Sequence, residues 1–100
     1  QDEKLCGGLL IDGVPVYCGC VKADSHFVFS IMRRGTNERY PVTLYKIVKT
    51  NVRKWAKILG DVRCQIVDSS SEEAKRVARW VRKMGYQETE NGIFILPGGA

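Results

Sequence analysis

Two groups of side chains in this sequence could do chemistry: a set of thiols with one imidazole, and a run of cations beside a glycine. The thiols are Cys6, Cys18, Cys20 and Cys64, and the imidazole is His26. Cys6, Cys18, Cys20 and His26 make a zinc set conceivable, but the chain lacks the closely spaced CxxC pair that structural zinc sites favour. An even number of cysteines permits two disulfides, yet the chain carries long helical patterns rather than the dense loops of a disulfide scaffold. Cys18 and Cys20 alternate along a strand with Val14 and Val16, and Cys64 alternates with Val62 and Ile66. Unmodified cysteine behaves as a small buried hydrophobe. The expectation is therefore buried thiols, no metal site and a reducing compartment. His26 opens a strand and is expected to be structural. No catalytic residue is assigned.

The second group is Arg33-Arg34-Gly35-Thr36, in the polar stretch before a helix. Two guanidinium groups, a glycine that lets backbone come close and a hydroxyl are the kinds of group that hold a phosphate at a helix N-terminus. Tyr40 and Tyr45 follow, and packing explains both without chemistry.

Positioning these groups falls to elements that the apolar periodicity outlines. Residues 5–11 and 14–21 read as strands around Asp12-Gly13, a strong two-residue hairpin signal. Pro15 cannot donate to a ladder and belongs at an edge or turn. His26 to Met32 reads as a third strand, with Phe27, Phe29 and Ile31 on one face. A polar loop, 33–42, leads to Thr43 as an N-cap and a helix reaching Leu59. Leu44, Ile47, Val48, Val52, Trp55, Ile58 and Leu59 form its apolar stripe, and Gly60 its C-terminal cap. Val62 to Val67 is a short strand whose crossover connection predicts parallel pairing with the third strand. A capping box, Ser70 with Glu73 or Ser69 with Glu72, starts a second helix. That helix runs to Met84 and buries Ala74, Val77, Ala78, Val81 and Met84. Gly85 closes it, and 86–89 pairs with 93–96 around Asn91-Gly92. Residues 97–100 read as a frayed tail.

The 100-residue chain carries 16 basic and 11 acidic side chains, a net charge of +5. Eleven of the basic and four of the acidic groups fall between 46 and 83, so this stretch carries +7 and the remainder −2. A basic surface attracts nucleic acid, an anionic cofactor or an acidic partner. Without interleaved aromatics, nucleic-acid binding by the helices is expected to be weak and non-specific. No apolar run approaches the roughly 18–20 residues that span a bilayer, and no leader is evident, so neither membrane association nor secretion is expected. Residue 1 is Gln, which leaves room for a longer chain.

The expected order is β-β-β-α-β-α-β-β, an α+β fold with a mixed, mostly antiparallel sheet in one domain, 1–100. This order resembles the core of the GNAT superfamily of N-acetyltransferases. The likeness runs over 9–96 and is most specific in Ile66-Val67-Asp68 through Ala74, then Arg79-Trp80-Val81-Arg82-Lys83-Met84-Gly85-Tyr86, and finally Glu90-Asn91-Gly92-Ile93-Phe94-Ile95. The resemblance implies an acetyl-coenzyme A site at Arg33, Arg34, Gly35 and Thr36. The family's Arg/Gln-x-x-Gly-x-Gly/Ala loop has here become Met32 through Pro41, with one glycine and an acidic Glu38. Where many members place a tyrosine proton donor, four residues before the helix-ending glycine, this chain has Val81. The family's two early helices have no counterpart before Leu9. The sequence is similar to small GNAT-like internal virion-associated proteins of short-tailed bacteriophages. That likeness implies a catalytically degenerate structural or interaction protein, bound to other protein subunits in a virion or the host cytoplasm, and requiring no cofactor. The alternatives are an N-acetyltransferase using acetyl-coenzyme A through an atypical loop and a nucleic-acid-binding module using the basic helices.

Overall fold

The computed structural model describes residues 5–66, 71–90 and 92–98. Its strands are β1 (Cys6–Ile11), β2 (Val14–Val21), β3 (Val28–Met32), β4 (Asp61–Gln65), β5 (Gln87–Glu90) and β6 (Ile93–Pro97). Its helices are α1 (Thr36–Arg39), α2 (Pro41–Leu59) and α3 (Glu72–Met84). The chain is α+β, as expected, but the single mixed sheet is replaced by two three-stranded antiparallel sheets, ordered β1-β2-β3 and β4-β6-β5. Among the described residues, the expected parallel pairing of β3 with β4 is reduced to one bridge, Phe27 with Arg63. His26 takes a left-handed backbone at φ 64°, so the third strand starts at Val28 rather than His26.

The turn signals translate directly. Asp12 and Gly13 both have positive φ, 53° and 78°, the requirement of the tight turn that matches strand twist. Gly60 and Gly85 cap α2 and α3 as expected. The start of α2 differs: Tyr40 is the N-cap and Pro41 the first helical residue, a position where the missing N–H costs nothing. Thr43 is thus inside the helix, and the expected loop contains the one-turn α1. Helix α3 is capped by Ser71, whose Oγ accepts from the Ala74 N–H at 3.0 Å. Ser69 and Ser70 of the expected capping box lie outside the described residues. Residues Pro97 and Gly98 do not fray: Pro97 pairs with Asp61, and Gly98 N donates to Gly60 O at 2.6 Å. A Cβ at position 98 would lie 2.1 Å from that oxygen, so only glycine fits.

Both long helices contribute to one core, in which Val52, Trp55 and Ala56 of α2 join Val81 and Met84 of α3, with Val62, Phe94 and Leu96 from the second sheet. Tyr17, Gly19 and Val21 form the buried face of β2. Cys18 and Cys20 therefore point to the opposite face, with Phe29 and Ile31 beside them on β3. The expectation of buried thiols is corrected here: Cys18 is exposed, and Cys6, Cys20 and Cys64 are only partly buried. No helix among the described residues is long and apolar enough to cross a membrane.

Val77 is also corrected. It is 39% exposed, whereas Val81 is 9% exposed. Val81→Asp places an unpaired charge in the core at a cost of several kcal/mol, against a total stability of about 5–15 kcal/mol, and is expected to abolish cooperative thermal unfolding. Val77→Asp is expected to cost no more than about 1 kcal/mol. Equal losses of melting temperature in the two variants would show that the face of α3 has been misassigned.

Candidate functional site

The structure brings Arg33, Arg34, Gly35 and Thr36 together around an open basin of about 490 Å³, which Asp12, Arg39 and Tyr40 also line. The local backbone explains the shape. Arg33 N donates to Val16 O at 2.8 Å, fixing the loop to β2, and Thr36 N donates to Arg33 O at 3.1 Å. Gly35, at φ 88°, turns the chain into α1. The amides of Arg39 and Tyr40 are then spent on Gly35 O and Thr36 O. Thr36 is buried, and its hydroxyl donates to Val16 O at 3.4 Å. Its hydroxyl is thus turned into the protein, and Pro41 begins the following helix without an N–H. The basin offers three guanidinium groups and one opposing carboxylate, a surface suited to attracting anions.

A second feature lies where the sheets part. Arg63 N donates to His26 O at 2.8 Å, and beyond this contact β3 and β4 diverge. A cleft of about 330 Å³ opens between them, lined on its inner side by Val28, Ser30, Met32, Cys64, Trp80 and Tyr86, among others. Arg76 of α3 also reaches the lining, while the thiol and the two phenols there are held neutral. Burial pushes the Cys64 thiol up to about 12 and raises Tyr86 and Tyr17. Tyr17 is within 3.5 Å of the Ser30 hydroxyl. A protonated thiol is a poor nucleophile, so the cleft presents a mostly apolar wall with hydroxyl groups and one guanidinium. Val81, lacking any proton to give, packs in the core against this wall.

At the mouth of the joint, His26 Nδ1 is hydrogen-bonded to Asp61 Oδ1, and the guanidinium of Arg63 lies 3.5 Å from Asp61 Oδ2. The imidazole thus bridges the end of the first sheet to the start of the second. Its partner is a carboxylate that holds it in place. Tyr45 packs edge-on to Trp80, with centroids 5.7 Å apart at 83°, and the ammonium groups of Lys49 and Lys83 lie 5.8 and 5.6 Å from its ring centroid. Tyr45 is a packing residue. No group of metal-ligating side chains occurs among the described residues.

Sequence reasoning missed Asp61, Tyr17 and Tyr86. Asp61 follows the helix-capping glycine with no local pattern to mark it. Tyr17 alternates with buried positions of β2, and Tyr86 follows Gly85; period and position mark both as core and give no sign that they reach a cleft.

Two measurements follow. His26→Ala and Asp61→Ala should each lose about 1–2 kcal/mol, and the double variant should lose less than the sum, revealing coupling. Additive losses in chemical denaturation would show that the pair does not bridge the sheets. The second concerns alkali. Cys64 has a folded-state value of about 12 against an unfolded thiol near 8.5–9. Its contribution is fully present below the unfolded value and disappears as pH rises from about 9 toward 12. Melting temperature should fall across that window, and less steeply in Cys64→Ala; parallel curves would contradict the burial of this thiol.

Compared with known proteins, the chain matches no protein-family model and no curated protein.

Proposed function

We propose that this chain is a catalytically degenerate, GNAT-like structural or interaction protein that binds other subunits of a bacteriophage particle or of its assembly pathway. The observation that carries this reading is the open outer face of the first sheet. Ile31 is 77% exposed, Leu10 64% and Phe29 50%, and they sit on one surface with Cys18 and Cys20. Helix α2 packs on the other side, against β1, and α3 faces that side across the cleft. A contiguous apolar surface of this kind marks a contact site in a folded protein. Its surroundings are basic: the Lys22 ammonium lies 5.3 Å from the Phe29 ring centroid, and Arg33 and Arg34 follow the end of β3. The partner that fits is a protein surface with an apolar centre and an acidic rim.

The loop supports the same reading. A pyrophosphate requires several converging amides at a helix N-terminus. Here α1 consumes amides, Thr36 faces inward and α2 starts on proline. The second reading, an acyl-coenzyme A-dependent N-acetyltransferase, is favoured by one observation, the apolar cleft between the diverging β3 and β4. Such a cleft would admit an extended pantetheine-like arm.

Two experiments separate them. Ile31→Asp and Phe29→Asp, with circular dichroism unchanged, are expected to reduce incorporation into purified particles by at least about tenfold, as loss of an interface anchor does. Unchanged incorporation would remove the proposed surface. Calorimetry with acetyl-coenzyme A is expected to show only weak, salt-sensitive association. A micromolar Kd with acceptor-dependent release of free thiol would establish the transferase instead.

A further inference from the structure

Cys6 and Cys20 are directly opposed in the antiparallel ladder of β1 and β2. Opposed residues in such a ladder have Cα atoms roughly 4.5–5.5 Å apart, inside the roughly 4.4–6.8 Å that a disulfide spans. Both side chains project from the outer face of the sheet, in one row with Phe29 of β3, and no helix covers them. The two thiols are hydrogen-bonded to each other, and this contact, ahead of burial, pushes Cys20 up to about 12. Cys20 therefore keeps its proton.

Cys18 also reaches the Cys20 thiol, as the least of the contributions to that shift, but neither it nor Cys64 has a cysteine opposite it. Cys18 shares the face, but the residues opposite it are Gly8 and Ile31. Cys64 lies on the second sheet, opposite Phe94 and packed against the core. The register thus singles out one pair.

We propose that Cys6 and Cys20 form a reversible dithiol–disulfide couple on the open face, oxidised by a low-molecular-weight disulfide and closing edge strand β1 onto β2. The Cys6 thiolate attacks one sulfur of the small disulfide, forming a mixed disulfide and releasing one small thiolate. Cys20 then gives its proton to solvent, and its sulfur attacks Cys6 Sγ, displacing the second small thiolate. Two protein thiols are oxidised and one small disulfide is reduced to two thiols. The product encloses residues 6–20 in a covalent loop, so β1 cannot peel from the sheet edge. The inference rests on strand register and thiol contact, and stands whether or not the proposed function does.

The test uses the full chain incubated with oxidised glutathione, alkylated and digested without reduction for mass spectrometry. Half of the chain's four thiols should disappear, a Cys6–Cys20 linked peptide should form, and dithiothreitol should restore both thiols. Cys18→Ser should leave the link intact, and Cys20→Ser should stop at a mixed disulfide between Cys6 and glutathione. Mixed disulfides with no Cys6–Cys20 peptide, or a link through Cys18 or Cys64, would overturn the proposal. Mapping of the unaltered chain decides this even if Cys20→Ser fails to fold.

Discussion

The backbone bond from Arg63 to the carbonyl of His26, braced by the Asp61 carboxylate on the His26 ring, is the constraint on which the rest of the structure depends. The two sheets have antiparallel ladders of their own and share one parallel bridge. Had the ladder continued, β3 and β4 would have zipped shut. Because it stops, the strands spread, and the space between them must be filled from one side by α2 and α3. Trp55, Val52, Val81 and Met84 do that filling. The left-handed turn at His26 sets the stopping point, since it directs the chain out of the second strand before the third begins.

The same joint governs what is left bare. The inward side chains of β2, Tyr17 and Val21, are buried, whereas along β3 Val28 is only partly covered and Ser30 and Met32 border the open cleft; the outer neighbours are bare. Phe29 and Ile31 are therefore exposed by topology. In the proposed function, burying that apolar area against another protein would return the free energy forgone in leaving it in water, at about 25 cal/mol per Å². The basic loop at Arg33 and Arg34 stands at the rim of this surface, where charge directs approach more than it adds affinity.

Local signals made much of this legible. Asp12-Gly13, Gly60 and Gly85 impose backbone conformations that their immediate neighbours determine, and the apolar period of α2 marks its buried side, except at Ile58, which is 49% exposed. Pro41 after Tyr40 was also a helix-start signal, stronger than Thr43, because proline's fixed φ suits the first helical position. The direction of the β3 faces was not legible. Val28 and Met32 on one side and Phe29 and Ile31 on the other are both apolar stripes, so alternation alone leaves open which one meets the helices. The break between the sheets was hidden for a related reason: it depends on Asp61 meeting His26 across 35 residues. For the candidate site, Arg33 to Thr36 do cluster, but the inward turn of Thr36 depends on Val16, a residue of another strand.

The ladders β1-β2, β2-β3 and β5-β6 each join strands that are neighbours along the chain, and among the described residues only the β4-β6 ladder reaches over an intervening helix. The consequence is kinetic. Most strand pairing closes short loops at little entropic cost, so the first sheet can assemble from its own hairpins without waiting for distant sequence. Such local topologies fold quickly for their stability. During synthesis the 6–32 meander emerges as a unit, carrying its apolar surface into solution before α2 exists to cover the inner half.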